Sequence, residues 1–166
     1  GVVRDMRADS LVITENPDET PNTADMVFDN FTPSEFDQVI LTLGGVRIFK
    51  GVFLRSTQAF NERPVHDFTT PHAVGGAWML GRWRVYKHYT DTTVNGIVAD
   101  LMASAPGFTA TNVQGGLPTL KQFTVQGASI AEALTALKAQ VKGLSWSVDY
   151  FDDLHLGTVD PSIVHP

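Results

Sequence analysis

Ser129-Ile130-Ala131-Glu132 constrains the fold of this chain more than any other stretch. A Ser followed three residues later by Glu, just ahead of an apolar run, is a capping box. The Ser hydroxyl accepts from the backbone N–H of Glu132, and the Glu carboxylate accepts from the backbone of the cap. The apolar stripe that follows is Ala133, Leu134, Leu137 and Val141, and Gly143 stands where a C′ glycine belongs. Leu144 to Phe151 then alternates Leu144, Trp146, Val148 and Tyr150 against Ser145, Ser147 and Asp149, the pattern of a half-buried strand. Asp152-Asp153 reads as a turn and Leu154-His155-Leu156 as a return strand. A helix running into a hairpin therefore closes the readable part of the chain.

A second helix precedes it. Thr92 or Thr93 can cap it, and Val94, Ile97, Val98, Leu101 and Met102 form one buried stripe that stops before Pro106-Gly107. A short strand, Phe123 to Gln126, joins the two helices. Upstream the period changes to that of short strands: Ser10 to Thr14, Ala24 to Asn30, Gln38 to Leu43, Val46 to Thr57 and Val65 to Thr70, with Ala77 to Trp83 read as a continuation. Gly44-Gly45 between two β runs is a hairpin turn, because glycine takes positive φ at both central positions at little cost. Gly51 marks a bulge or bend inside its strand. Strands first, then strand, helix, strand, helix and hairpin, argue for an α+β fold rather than a parallel α/β sheet.

The chemistry-bearing residues do not assemble into a motif. His66, His72, His88, His155 and His165 lack the spacing that sets two ligands on one helical face. Asp152, Asp153 and His155 lie close together, but such a hairpin tip supplies fewer ligands than a stable metal site needs. No nucleophile elbow or phosphate loop is present, and pairs such as Asp29 with Asp37 or Asp149 with Asp152 read as solvated carboxylates. Twelve basic residues against eighteen acidic ones give a net charge of −6. The basic cluster at Arg82, Arg84, Lys87 and His88 is too small for a phosphate-binding face, so nucleic acid is not an expected partner. With no cysteine, disulfides and thiolate zinc sites are excluded, and no apolar run approaches the ~20 residues of a membrane span. Charged residues are only 18% of the chain, which suits faces covered by neighbours and an uncharged, Thr- and Ser-rich β surface equally well. The chain opens on Gly1 rather than Met and is read as part of a longer protein.

Three segments in this order resemble the baseplate-hub and tail-tip proteins of tailed phages. The first is Phe31-Thr32-Pro33-Ser34-Glu35-Phe36-Asp37-Gln38-Val39-Ile40-Leu41, followed by Gly44-Gly45-Val46-Arg47-Ile48-Phe49-Lys50-Gly51-Val52. The second runs from Arg82-Trp83-Arg84-Val85-Tyr86 through Thr92-Thr93-Val94 to Asp100-Leu101. The third is Phe123 to Asp149, with Ser129, Ile130, Glu132, Ala133, Leu134, Leu137, Gly143, Trp146 and Asp149 at the matching places. The resemblance covers most of the stretch from Ser10 to Gly157.

That resemblance implies a structural protein rather than an enzyme, with no cofactor. It implies a β-barrel-like tube domain over 1–84 and a small α/β domain with two helices and a β-hairpin over 85–157. Residues 158–166 then form a linker or a truncated continuation. It further implies a homotrimer in the virion tail tip or baseplate, assembled in the host cytoplasm, which joins the tail tube to a distal spike or receptor-binding apparatus. Gly44, Gly45, Trp78, Arg82, Trp83, Arg84 and Lys87 are the candidate interface residues. The alternative reading is a carbohydrate-recognising β module, which asks for exposed, coplanar Trp78 and Trp83. A hydrolase domain would need a pocket with convergent His and acid groups.

Overall fold

The computed structural model describes residues 10–16, 20–29, 32–59 and 68–158. They form mostly sheet, with three helices, in two compact units. Of the described residues, those up to Gly76 apart from Thr20 form the first unit, and Thr20 with those from Ala77 form the second. Trp78, Arg82, Trp83 and Arg84 thus belong to the second unit. Residues 159–166 and the histidines His66 and His165 lie outside the described residues.

The first unit is one sheet. Its strands are β1 (Val12–Thr14), β2 (Thr23–Asp25), β3 (Phe28–Asp29), β4 (Gln38–Leu43), β5 (Val46–Ala59) and β6 (Phe68–Gly75). Their order is β1-β2-β6-β5-β4, with β3 also paired to β6, and every pairing is antiparallel. The run expected as one strand over Ala24 to Asn30 is broken between β2 and β3, and Asn30 is not described. The expected strand over Val65 to Thr70 lies partly outside the described residues, while β6 continues through Pro71 to Gly75. The sheet buries Ala24, Met26, Phe28, Val39, Phe49, Phe53, Ala73 and Val74, with Phe28 and Phe53 edge to face at 6.4 Å.

A barrel needs its first and last strands to pair, and β1 and β4 instead stand at opposite ends of the order. Among the described residues the sheet is open, and no closed barrel forms.

Gly51 is a point of contact rather than a bulge. It pairs with Val39 on one side and Gly75 on the other, and a Cβ there would sit 2.2 Å from the Val74 carbonyl oxygen. The register shifts lie elsewhere, at Leu41/Thr42 and Phe53/Arg55.

The second unit begins inside α1 (Gly76–Leu80), which replaces the strand continuation expected over Ala77 to Trp83. Gly-Ala-Trp-Met-Leu contains no β-branched residue, and Ala, Met and Leu are strong helix formers. There follow β7 (Arg84–Thr93), α2 (Val94–Met102), β8 (Thr109–Val113), β9 (Thr119–Ser129), α3 (Ile130–Gln140), β10 (Leu144–Val148) and β11 (Asp153–Thr158). β7 and β9 form a two-stranded antiparallel ribbon. β10, β11 and β8 form a sheet in that order, antiparallel between β10 and β11 and parallel between β11 and β8.

Both helices begin as their sequences predict. Thr93 caps α2 and accepts from Gly96 N–H, and Ser129 and Glu132 complete the capping box of α3. Val141 is the C-cap, so Gly143 stands one position beyond the expected C′ place. One core joins the stripes of α2 and α3 to the sheets, with Ile97, Leu101, Ile130, Leu134, Leu137, Leu144 and Leu154 fully buried. Ser129→Ala removes the cap of α3 and is expected to cost about 1 kcal/mol of stability in a urea titration. An unchanged midpoint would show that packing alone starts this helix.

Candidate assembly surface

The β4–β5 hairpin turns through Gly44 and Gly45, both at positive φ, +57° and +82°. Each is exposed, with nothing within 4 Å of where a Cβ would lie. Beside the turn, Leu43 is 71% exposed and Val46, its cross-strand partner, 66%. Ile40 and Phe36 are exposed as well.

Alternation explains the inner residues but not the tip. Val39 and Phe49 are buried, whereas Leu43 and Val46, at the end of the hairpin beyond the register shift at Leu41/Thr42, are exposed. At the base of the hairpin, Phe36 N–H donates to Phe53 O at 2.7 Å and Phe53 N–H to Asp37 O at 3.0 Å. The Asp37 carboxylate accepts from Ser34 N–H at 2.9 Å, so it holds a turn. Among the described residues β4 is an edge strand, and it carries neither charge nor proline, the kind that invites a partner strand.

The basic cluster is engaged within the second unit. Arg84 Nη1 donates to Glu132 Oε2 at 2.9 Å and to Gly127 O at 3.2 Å. Glu132 Oε2 also accepts from Ser129 N–H at 2.6 Å, so the capping box and this ion pair share one oxygen. The Ser129 backbone and hydroxyl and the Arg84 charge hold the Glu132 carboxyl below its ordinary range. Lys87 Nζ lies 3.0 Å from Asp100 Oδ2, which also accepts from the Tyr89 hydroxyl at 2.8 Å. The Lys87 hydrogen bond, then that of Tyr89, lowers the Asp100 carboxyl, while burial and Asp100 together raise the Tyr89 hydroxyl. Arg82 lies over the Trp78 ring, 5.0 Å from its centroid, and Trp83 meets Phe108 edge-on at 5.6 Å. Both tryptophans are half-buried, whereas the carbohydrate reading asks for exposed ones.

Asp153 carries more of the fold than its expected place in a turn suggests. It is a buried strand residue, 5% exposed. Oδ1 accepts from the Thr109 hydroxyl and from Thr111 N–H at 2.9 Å. Oδ2 accepts from Thr111 Oγ1 at 2.8 Å, Asn112 N–H at 3.2 Å and Asn112 Nδ2 at 2.7 Å. Burial pushes the carboxyl upward, but the hydrogen bonds from Thr109, Thr111 and Asn112 outweigh it and hold it far below the usual carboxylate range. The turn itself spans Asp149 to Asp152, with Asp152 at φ +63°.

His155 Nε2 lies 3.1 Å from Asp149 Oδ2, and Asp149 Oδ1 accepts from Phe151 and Asp153 N–H. Among the described residues no three His, Cys, Asp or Glu side chains gather as a metal site, and no helix is long and apolar enough to cross a membrane. A shallow groove of about 540 Å³ crosses the open face of β8, β11 and β10, lined mainly by Thr111, Gln114, Ser145, Ser147, His155 and Thr158.

No protein-family model and no curated protein matches the sequence. Solved structures do. The chain superposes on the tail protein of Neisseria meningitidis with a TM-score of 0.71 at 16% identity, covering 87% of this chain and 44% of that one. It superposes on the 43 kDa tail protein of prophage MuSo2 from Shewanella oneidensis at 0.62, with 16% identity over 82% of this chain and 46% of that one. This is a tail-protein fold. A third neighbour, at 0.56 and 14% identity over 88% of this chain and 47% of its own, is the E. coli c3393 protein. That protein is a component of the type VI secretion system and is structurally similar to the T4 bacteriophage tail proteins gp27 and gp5. The chain spans less than half the length of each of these three proteins.

Sequence reasoning named Gly44 and Gly45 but missed the apolar pair beside them. The signal was present in Leu43 and Val46 directly flanking the turn, positions that a solvated hairpin tip fills with polar residues.

Proposed function

We propose that this chain is a structural, non-enzymatic building block of a phage tail tip or baseplate hub. In this reading it sits in the virion, where it joins the tail tube to the distal spike or receptor-binding apparatus. It assembles there as a homotrimer alongside other tail proteins. The observation that carries the reading is the tail-protein fold over 87% of the chain. The β-rich part, 1–84, supplies the tube-facing domain, and its open sheet completes a ring only together with neighbouring chains. Residues 85–157 form the smaller α/β domain. The hairpin around Gly44 and Gly45 makes the leading contact, and Trp78, Arg82, Trp83, Arg84 and Lys87 make a second one.

The double substitution Leu43→Glu with Val46→Lys tests this directly. The two positions face each other across the hairpin, so the new charges pair rather than repel. Both are exposed, so stability is expected to stay within about 0.5 kcal/mol of the parent. Self-association, followed by sedimentation velocity, is expected to weaken at least tenfold, or about 1.4 kcal/mol. Unchanged association in a folded variant would remove the hairpin from the interface.

A further inference from the structure

We draw no further inference here: the strongest candidate, the shallow groove on the open face of β8, β11 and β10 where Ser147 and His155 lie beside Asp149, carries nothing, because no side-chain hydrogen bond joins Ser147 to His155 and nothing in the structure shows what covers it.

Discussion

Asp153→Ala is expected to lower the stability of the second unit by roughly 3 kcal/mol, the largest loss expected from any polar substitution among the described residues. The carboxylate accepts from the Thr109 hydroxyl and from both the backbone and the side chains of Thr111 and Asn112, and it is nearly shut off from water. Those donors all come from β8, so the carboxylate ties β8 to β11 along their parallel pairing. Truncation strands several donors at once, and each stranded group costs desolvation that water repays only where it can enter.

The pH dependence follows with a definite sign. Hydrogen bonding depresses the folded-state value of Asp153 below the unfolded value of about 3.9. The contribution is therefore complete above about pH 4 and is lost as pH falls further, because protonation must break the cluster. Urea titrations at neutral and acidic pH should show a steep acid limb in the parent and a shallower one in Asp153→Ala. Equal limbs, or a neutral-pH loss under about 0.5 kcal/mol, would mean that the cluster is not coupled to folding.

Gly51→Ala should damage the first unit by a different route, at a cost of about 3 kcal/mol. The added Cβ would lie 2.2 Å from Val74 O, 2.8 Å from its carbonyl carbon and 2.9 Å from the Phe49 ring. Two of these three atoms belong to the paired backbone of β6, which cannot rotate aside as a flexible side chain would. Strands β5 and β6 must move apart, and the sheet loses its central pairing. Gly115→Ala makes the matching control, since a Cβ there meets nothing within 4 Å, and its effect should stay within about 0.5 kcal/mol. Hydrogen exchange of the β5 and β6 amides reads the difference site by site. Protection in Gly51→Ala equal to that in the parent would show that the close approach is not tight in solution.

What could be read ahead of the structure was local. The capping box at Ser129 and Glu132, and the stripes from Val94 to Met102 and from Ala133 to Leu137, depend on neighbours three and four residues apart, and they appear as expected. The Gly44-Gly45 hairpin appears for the same reason.

The misses are long-range. Asp153 looked like half of a solvated turn because the residues that bury it, Thr109 to Asn112, lie about forty positions away on a strand too polar to be noticed. Gly51 looked like a bulge because nothing local reveals that Gly75 and Val74 pass against it. The open sheet could not be told from a barrel, since closure depends on whether the first and last strands meet. For the assembly surface, Gly44 and Gly45 were legible from turn chemistry. The exposure of Leu43 and Val46 depends on how far the hairpin reaches past the buried residues of its sheet, which periodicity does not show. The basic cluster was visible too, but its pairing with Glu132 and Asp100 required β7 to be placed against α3 and α2.

The proposed homotrimer is tested most directly by the mass of the chain in solution. Light scattering across a concentration series should rise to a plateau at three times the chain mass of 18.1 kDa. A mass that stays at 18.1 kDa up to the highest concentration would contradict both the homotrimer and the role of the exposed hairpin as its leading contact.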